Sequence, residues 1–163
     1  MCYNQNTNKR EVYLMNLIEL HRYAEINGVV VNYRKIDAKK ACVMKLRSRF
    51  HILLNKQLIK NESDERIVLA HELGHCENNQ LYYLNNYSNP MYIQNILKAE
   101  RLSSDYACML LVNIDELKRA LREYDNEFAA AESLNLDILK FREIVDCYQR
   151  KGFLPSLITR DNI

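Results

Sequence analysis

Glycine and proline are scarce in this chain of 163 residues, with three and two occurrences, and tryptophan is absent. Long flexible linkers are therefore not expected, and one domain of ordinary size is the economical account. No run approaches the roughly 18–20 consecutive apolar residues of a membrane-spanning helix. The first residues, MCYNQN, lack the apolar stretch of a secretory signal. We expect a cytoplasmic protein with no membrane partner.

The cysteines argue against a disulfide scaffold. They are odd in number, widely spaced and form no C-x-x-C pair: Cys2, Cys42, Cys76, Cys108 and Cys147. A disulfide framework favours an even and denser set in a shorter chain. Most of these thiols are expected to behave as small buried hydrophobes. Cys76 adjoins His75, but neighbouring residues on a helix point about 100° apart, so Cys76 is a poor metal ligand.

The charges are divided unevenly along the chain. Residues 1–60 carry 12 Lys+Arg against 4 Asp+Glu, whereas residues 61–163 carry 11 against 17. A basic N-terminal third could attract an acidic protein or a nucleic acid. A solvated basic surface is the simpler interpretation, so direct nucleic-acid binding is not expected.

The pattern of apolar residues predicts one α+β domain over residues 1–163. Residues 29–33, 41–46 and 50–54 are strand-like and closely spaced, which indicates an antiparallel meander. Ser63, followed by two acids, is the expected cap of the next helix. The predicted elements are an N-terminal helix at about 9–27 ending near Gly28, strands within about 29–55, helices at about 64–78 and 91–111, and two or three C-terminal helices within about 115–151, broken near Ser133-Leu134-Asn135.

The most informative motif is His71-Glu72-Leu73-Gly74-His75, an H-E-x-x-H sequence within a predicted helix. Positions i and i+4 lie on one helical face, so both imidazoles can reach one metal ion. Glu72 could then take a proton from a water that a zinc ion activates. Gly74 costs roughly 1 kcal/mol relative to alanine in a helix interior. That cost is understandable if another element packs closely there.

A catalytic zinc site usually has a third protein ligand and an open position. Glu100 lies 25 residues after His75 in the next predicted helix, and two antiparallel helices could place it opposite the histidines. Taken alone, Glu100 is more simply interpreted as a solvent-exposed acid on a helix.

The stretch RIVLAHELGH (66–75), followed by Glu100, Ala107 and Leu110-Leu111, resembles the ImmA/IrrE family of metallopeptidases. The likeness covers roughly residues 28–112. It implies a small antiparallel sheet packed on helices, the architecture of a minimal thermolysin-like gluzincin. It also implies that His71, His75 and Glu100 bind Zn²⁺ and that Glu72 is the general base.

The chain departs from the family pattern just after Glu100. Ser103 stands where the family usually has alanine, and Ser104 stands where it often has an acid or amide. An acid follows one place later, as Asp105. In gluzincins a carboxylate near this position orients a ligand histidine. Ser104 and Asp105 are both candidates for that role, and the sequence does not choose between them.

Peptide hydrolysis also needs a donor for the oxyanion of the tetrahedral intermediate. Four tyrosines in or beside the predicted 78–90 loop are candidates, although packing at the loop base is the simpler role for each: Tyr82, Tyr83, Tyr87 and Tyr92. His51 is an outside candidate. The strand at about 50–55 is expected to expose an edge, to which an extended substrate could add.

The pattern of residues 128–142 predicts a helix, a short turn and a second helix, an arrangement that also occurs in DNA-binding proteins. Acids outnumber bases over residues 125–143, so packing on the core is the favoured role. The leading hypothesis is a zinc endopeptidase, and the family resemblance implies a helix-turn-helix repressor of a phage or mobile element as its protein substrate. The alternatives are a zinc-stabilised antirepressor or toxin-system component that acts without proteolysis and, more weakly, a DNA-binding regulator.

Overall fold

A three-stranded sheet and six helices make up the described part of the chain, residues 15–79 and 90–156 of a computed structural model. In chain order the elements are α1 (Leu17–Ile26), β1 (Val30–Tyr33), β2 (Ala41–Leu46), β3 (Arg49–Leu54), α2 (Glu62–Glu77), α3 (Pro90–Leu111), α4 (Ile114–Glu123), α5 (Glu127–Ser133) and α6 (Ile138–Arg150). The α+β class and the break between α5 and α6 agree with the sequence prediction.

The sheet is mixed, so the predicted antiparallel meander is wrong. Its strand order is β1-β3-β2, with β1 parallel and β2 antiparallel to β3. The connection between β1 and β2 crosses the end of β3. Asn55, which is buried, holds it there by donating from Nδ2 to the carbonyls of Ile36 (2.8 Å) and Lys39 (3.3 Å). Sequence spacing alone could not show that the chain skips one strand position.

The strand order also changes which edge is open. The strand at 50–55 was expected to be an edge, but β3 is paired on both sides. Within the described residues, β2 is paired on one side only and lies next to α2. The open edge near the candidate site therefore belongs to β2.

Asparagines cap the starts of α1 and α2. Asn16 and Glu19 form a capping box at the start of α1, which begins at Leu17, and the part of the predicted helix before residue 15 lies outside the described residues. Asn61, not Ser63, caps α2, because its Oδ1 accepts a 2.9 Å bond from the backbone of Asp64. Each cap satisfies an amide that has no partner within its helix. As predicted, α1 ends before Gly28, which has φ +69°.

Helix α2 lies at the centre of the fold and contacts α1, α3, β2 and β3. Its buried Arg66 ties distant segments together by donating to four main-chain carbonyls, those of Met15, Leu111, Leu134 and Asn135. Through these bonds the turn between α5 and α6 is fixed to the core, where Leu134 and Phe141 are buried. The C-terminal helices therefore pack on the core, as expected.

Across residues 15–79 and 90–156, none of the helices combines the length and the apolarity that crossing a bilayer requires.

Candidate metal centre

His71 and His75 lie one turn apart on α2 and turn their rings toward each other. Their Nε2 atoms are 3.1 Å apart, and the rings meet edge to face with centroids 4.7 Å apart. Four-residue helical spacing produces this juxtaposition without further constraint. His75 is buried, whereas the His71 side chain is 26% exposed, so the pair lies at the boundary between the core and the surface.

Helix α3 brings Glu100 to the same point. One carboxylate oxygen, Oε2, is 3.2 Å from Nε2 of His71, and the other, Oε1, is 3.6 Å from Nε2 of His75. The side chain is 45% exposed and approaches from the solvent side. The structure thus gathers the three side chains that the sequence and the family resemblance singled out.

Gly74 explains why α3 can come so close to α2. A Cβ atom at this position would lie 2.5 Å from the carbonyl oxygen of Ser103 and 2.8 Å from its Cα. Such contacts are far shorter than van der Waals distance, so only glycine fits between the two backbones. The conformational cost of this glycine is therefore offset by the close approach that positions Glu100.

The spacing of the three donors suits a small cation. In a tetrahedral zinc site with ligand bonds of about 2.0–2.1 Å, neighbouring donors stand about 3.3 Å apart. Here the two Nε2 atoms are 3.1 Å apart, and they lie 3.2 and 3.6 Å from different oxygens of Glu100. With one ligand atom taken from each residue, all three atoms lie within 4.8 Å of one another. Two imidazole nitrogens and one carboxylate form a donor set that zinc commonly takes. These residues could hold a metal ion.

Hydroxyl groups stand behind both imidazoles. Ser103, fully buried, places Oγ 2.9 Å from Nδ1 of His75, and Ser104 places Oγ 3.4 Å from Nδ1 of His71. Contacts at Nδ1 leave Nε2 free to face a metal and restrain the rings. Ser103 was not recognised as a contact from the sequence. Helical periodicity could have revealed it, since positions 103 and 104 share the face of Glu100.

Asp105, the other candidate for orienting a histidine, points elsewhere. Its carboxylate accepts a 2.6 Å bond from Arg150 on α6 and lies 3.7 Å from the ammonium of Lys151. That alternative is therefore wrong. Asp105 is five residues after Glu100, and on a helix this spacing turns it away from the face that carries Glu100. It anchors α6 to α3.

Glu72 lies beside the donors in a desolvated setting. Burial raises the pKa of its carboxyl to about 7, the charge of Glu100 adds to the rise, and the ammonium of Lys39 opposes it. The pKa of His75 moves the other way and is lowered, first by burial and then by His71. A neutral imidazole is the form that binds a metal. Without an ion, the site thus combines a neutral donor with a carboxyl that titrates near neutrality.

The sequence suggested four tyrosines and His51 as donors for the oxyanion. Tyr82, Tyr83 and Tyr87 lie outside the described residues. Tyr92 lies in the first turn of α3, and eight residues of helical rise put its Cα about 12 Å from that of Glu100. His51 lies within β3.

No family model, no curated protein and no solved structure matches the chain.

Proposed function

We propose that this protein is a zinc-dependent endopeptidase. The proposal rests on one observation: the two Nε2 atoms of His71 and His75 and the two carboxylate oxygens of Glu100 converge with separations of 3.1–3.6 Å, and Glu72, next to His71 in the chain, lines the same cleft as His71. A purely structural metal site has no need of a fourth, unligated acid. A carboxylate beside the metal-bound water is suited to accept a proton from it.

When bound, the ion would supply Lewis-acid activation of water and of the substrate carbonyl. The chain would perform the remaining steps. Glu72 removes a proton as the water oxygen bonds to the carbonyl carbon, and it then delivers that proton to the amide nitrogen as the C–N bond breaks. His71 and His75 would hold the ion through Nε2, while Ser104 and Ser103 contact their Nδ1 atoms and restrain the rings.

The open edge of β2 suits an extended polypeptide substrate. This strand begins at Ala41, and Ala41, His71 and Glu72 line one cleft. A segment that adds to β2 by main-chain hydrogen bonds would therefore run toward the metal site. Only a flexible segment can adopt this form, which favours a protein substrate over a small molecule.

The identity of the substrate rests on the family resemblance alone. Proteins of the ImmA/IrrE type suggest a helix-turn-helix repressor of a phage or mobile element, cleaved inside the cell. We propose this class as the first to test, and the geometry of the site neither requires nor opposes it.

The decisive test compares the wild type with Glu72→Gln. Both proteins should retain one zinc per chain, measured by atomic emission after gel filtration, whereas cleavage should be lost in the variant. The substrates are unfolded casein and a repressor encoded beside this chain, with products identified by mass spectrometry. His71→Ala serves as the control that should lose zinc as well as cleavage. Equal cleavage by wild type and Glu72→Gln would refute the mechanism.

One observation favours a second function, a regulator that binds without proteolysis. The donors join α2 and α3, which pack against each other along their lengths, so metal binding would add directly to folding stability. Under that function, Glu72→Gln should relieve repression in a reporter strain as well as the wild type does. Under the peptidase proposal it should not.

A further inference from the structure

A cleft of about 360 Å³ opens beside the candidate metal centre. His71 and Glu72 line it, together with the apolar residues Ala41, Ile67 and Val68. This volume is near the lower end of the range for small-ligand sites, so it suits one or two substrate side chains rather than a bulky cofactor. Because the cleft shares two residues with the metal centre, its occupant would lie next to the reacting bond.

Three lysines also line this cleft, and two of them are already engaged. Lys40 donates to both oxygens of Asp64 at 2.6 and 2.8 Å. Lys140 donates to Glu143 at 2.6 Å. The ammonium of Lys39 has no hydrogen bond or ion pair within residues 15–79 and 90–156, although its charge acts on the nearby carboxyl of Glu72. Lys39 is thus the lysine of this cleft whose ammonium can still form a direct contact with a bound molecule.

The segment that carries Lys39 is itself basic. Residues 28–60, which include the sheet and the β1–β2 connection, hold nine Lys+Arg and one Asp. An excess of positive charge in this segment favours the approach of an acidic partner. A cleft lined by apolar residues and a cation matches a side chain that has an apolar stem and an acidic tip.

We propose that Lys39 binds a carboxylate of the substrate beside the scissile bond, so that the enzyme selects acidic segments. The inference rests on the proposed peptidase function, because it names the substrate class for that same site. A carboxylate can come from a glutamate or aspartate side chain, or from the C-terminus of the substrate. The two sources give different cleavage patterns, internal or terminal, and can be separated.

The first experiment measures cleavage preference. Mixed peptides with amidated C-termini are digested, and the products are sequenced by mass spectrometry. We expect glutamate or aspartate within two residues of the cleaved bond, with kcat/KM about fivefold above that of the matched glutamine peptide, the size of an exposed ion pair. Peptides that contain glutamine but end in a free carboxylate form the second arm. Preference for that arm would assign the carboxylate to the chain terminus.

Variants then test Lys39 itself. Lys39→Gln should abolish the acidic preference, and Lys39→Glu should reverse it in favour of lysine. Lys56→Gln is the matched control, since it removes the same charge from the same basic region, but its ammonium lies over the ring of Tyr33. The Lys56→Gln variant should keep the preference for acidic peptides. If Lys39→Gln retains the wild-type preference, the inference is wrong even though the peptidase remains.

A binding measurement separates the two proposals. Glu72→Gln, loaded with zinc, should bind a fluorescein-labelled acidic peptide more tightly than its glutamine counterpart, and the addition of Lys39→Gln should remove the difference. Use of the Glu72→Gln background also excludes an effect of Lys39 exerted through the Glu72 carboxyl. Acidic binding that depends on Lys39 without cleavage by the wild type would overturn the peptidase alone. Equal binding of both peptides would overturn this inference.

Discussion

Gly74→Ala tests whether the close approach of α2 and α3 creates the metal site. The new Cβ would lie 2.5 Å from the Ser103 carbonyl oxygen, whereas ordinary contact begins at 3.4 Å, so the two helices must separate by about 0.9 Å. Metal–ligand distances tolerate only about 0.2 Å. Glu100 and Ser103 both move away from the histidines, and we expect zinc affinity to fall at least about tenfold.

The same change has two opposing effects on stability. Overpacking costs about 1–3 kcal/mol, while alanine in place of glycine within a helix returns about 1 kcal/mol. The free energy of unfolding of the metal-free variant should therefore be lower than that of the wild type by up to about 2 kcal/mol. The loss should be greater with zinc present, because the weaker metal binding adds to it.

The assay is competition for zinc with a chromophoric chelator, alongside urea unfolding with and without zinc. Gly28→Ala provides the matched control. Gly28 has φ +69° but no atom within 4 Å of the added Cβ, so that variant loses stability through its backbone alone and keeps zinc affinity. If Gly74→Ala binds zinc as tightly as the wild type, the inter-helix contact does not position the site.

Two further predictions concern the groups around the donors. Ser103→Ala should weaken zinc binding by about 10–100-fold, and Ser104→Ala should weaken it less. Ser103 is fully buried with its Oγ 2.9 Å from Nδ1 of His75, whereas Oγ of Ser104 is 3.4 Å from Nδ1 of His71. Equal losses of zinc affinity in chelator competition would contradict this prediction. Glu72→Gln should stabilise the zinc-free protein at pH 8 but not at pH 4. The pKa of Glu72 rises from 4.5 to about 7 on folding, so its contribution to stability is complete below pH 4.5 and is lost as the pH rises through 7. The difference between the proteins should reach up to about 3 kcal/mol in urea unfolding, and a difference independent of pH would refute the assignment.

Local periodicity carried most of what the sequence could predict. The spacing of His71 and His75 defined two of the three donors, and the cost of Gly74 correctly indicated close packing. Glu100 needed the family resemblance, since a single acid on an amphipathic helix has no distinguishing pattern. Nothing local encodes the order of three short strands. That order depends on Asn55 holding the β1–β2 connection across the end of β3.

The role of Arg66 could not be predicted from the sequence either. Arg66 precedes His71 by five residues, and its charge would ordinarily indicate a surface position. In the fold it is buried and satisfies four carbonyls at the ends of segments that are distant in the chain. A partner set made only of main-chain oxygens leaves no trace in side-chain patterns, so only the tertiary structure reveals it.

The serines behind the imidazoles bear on the electrostatics of the proposed site. A carboxylate in that position would add negative charge and make the ligand imidazole more basic. Ser103 and Ser104 restrain the rings without adding charge, so Glu100 is the one anionic donor of the triad. A bound divalent ion would then keep more of its positive charge, which favours the ionised, proton-accepting form of Glu72. Under the proposed function, hydroxyls in place of the carboxylate that is common in the family this sequence resembles would still orient the histidines and would leave a bound cation strongly electrophilic.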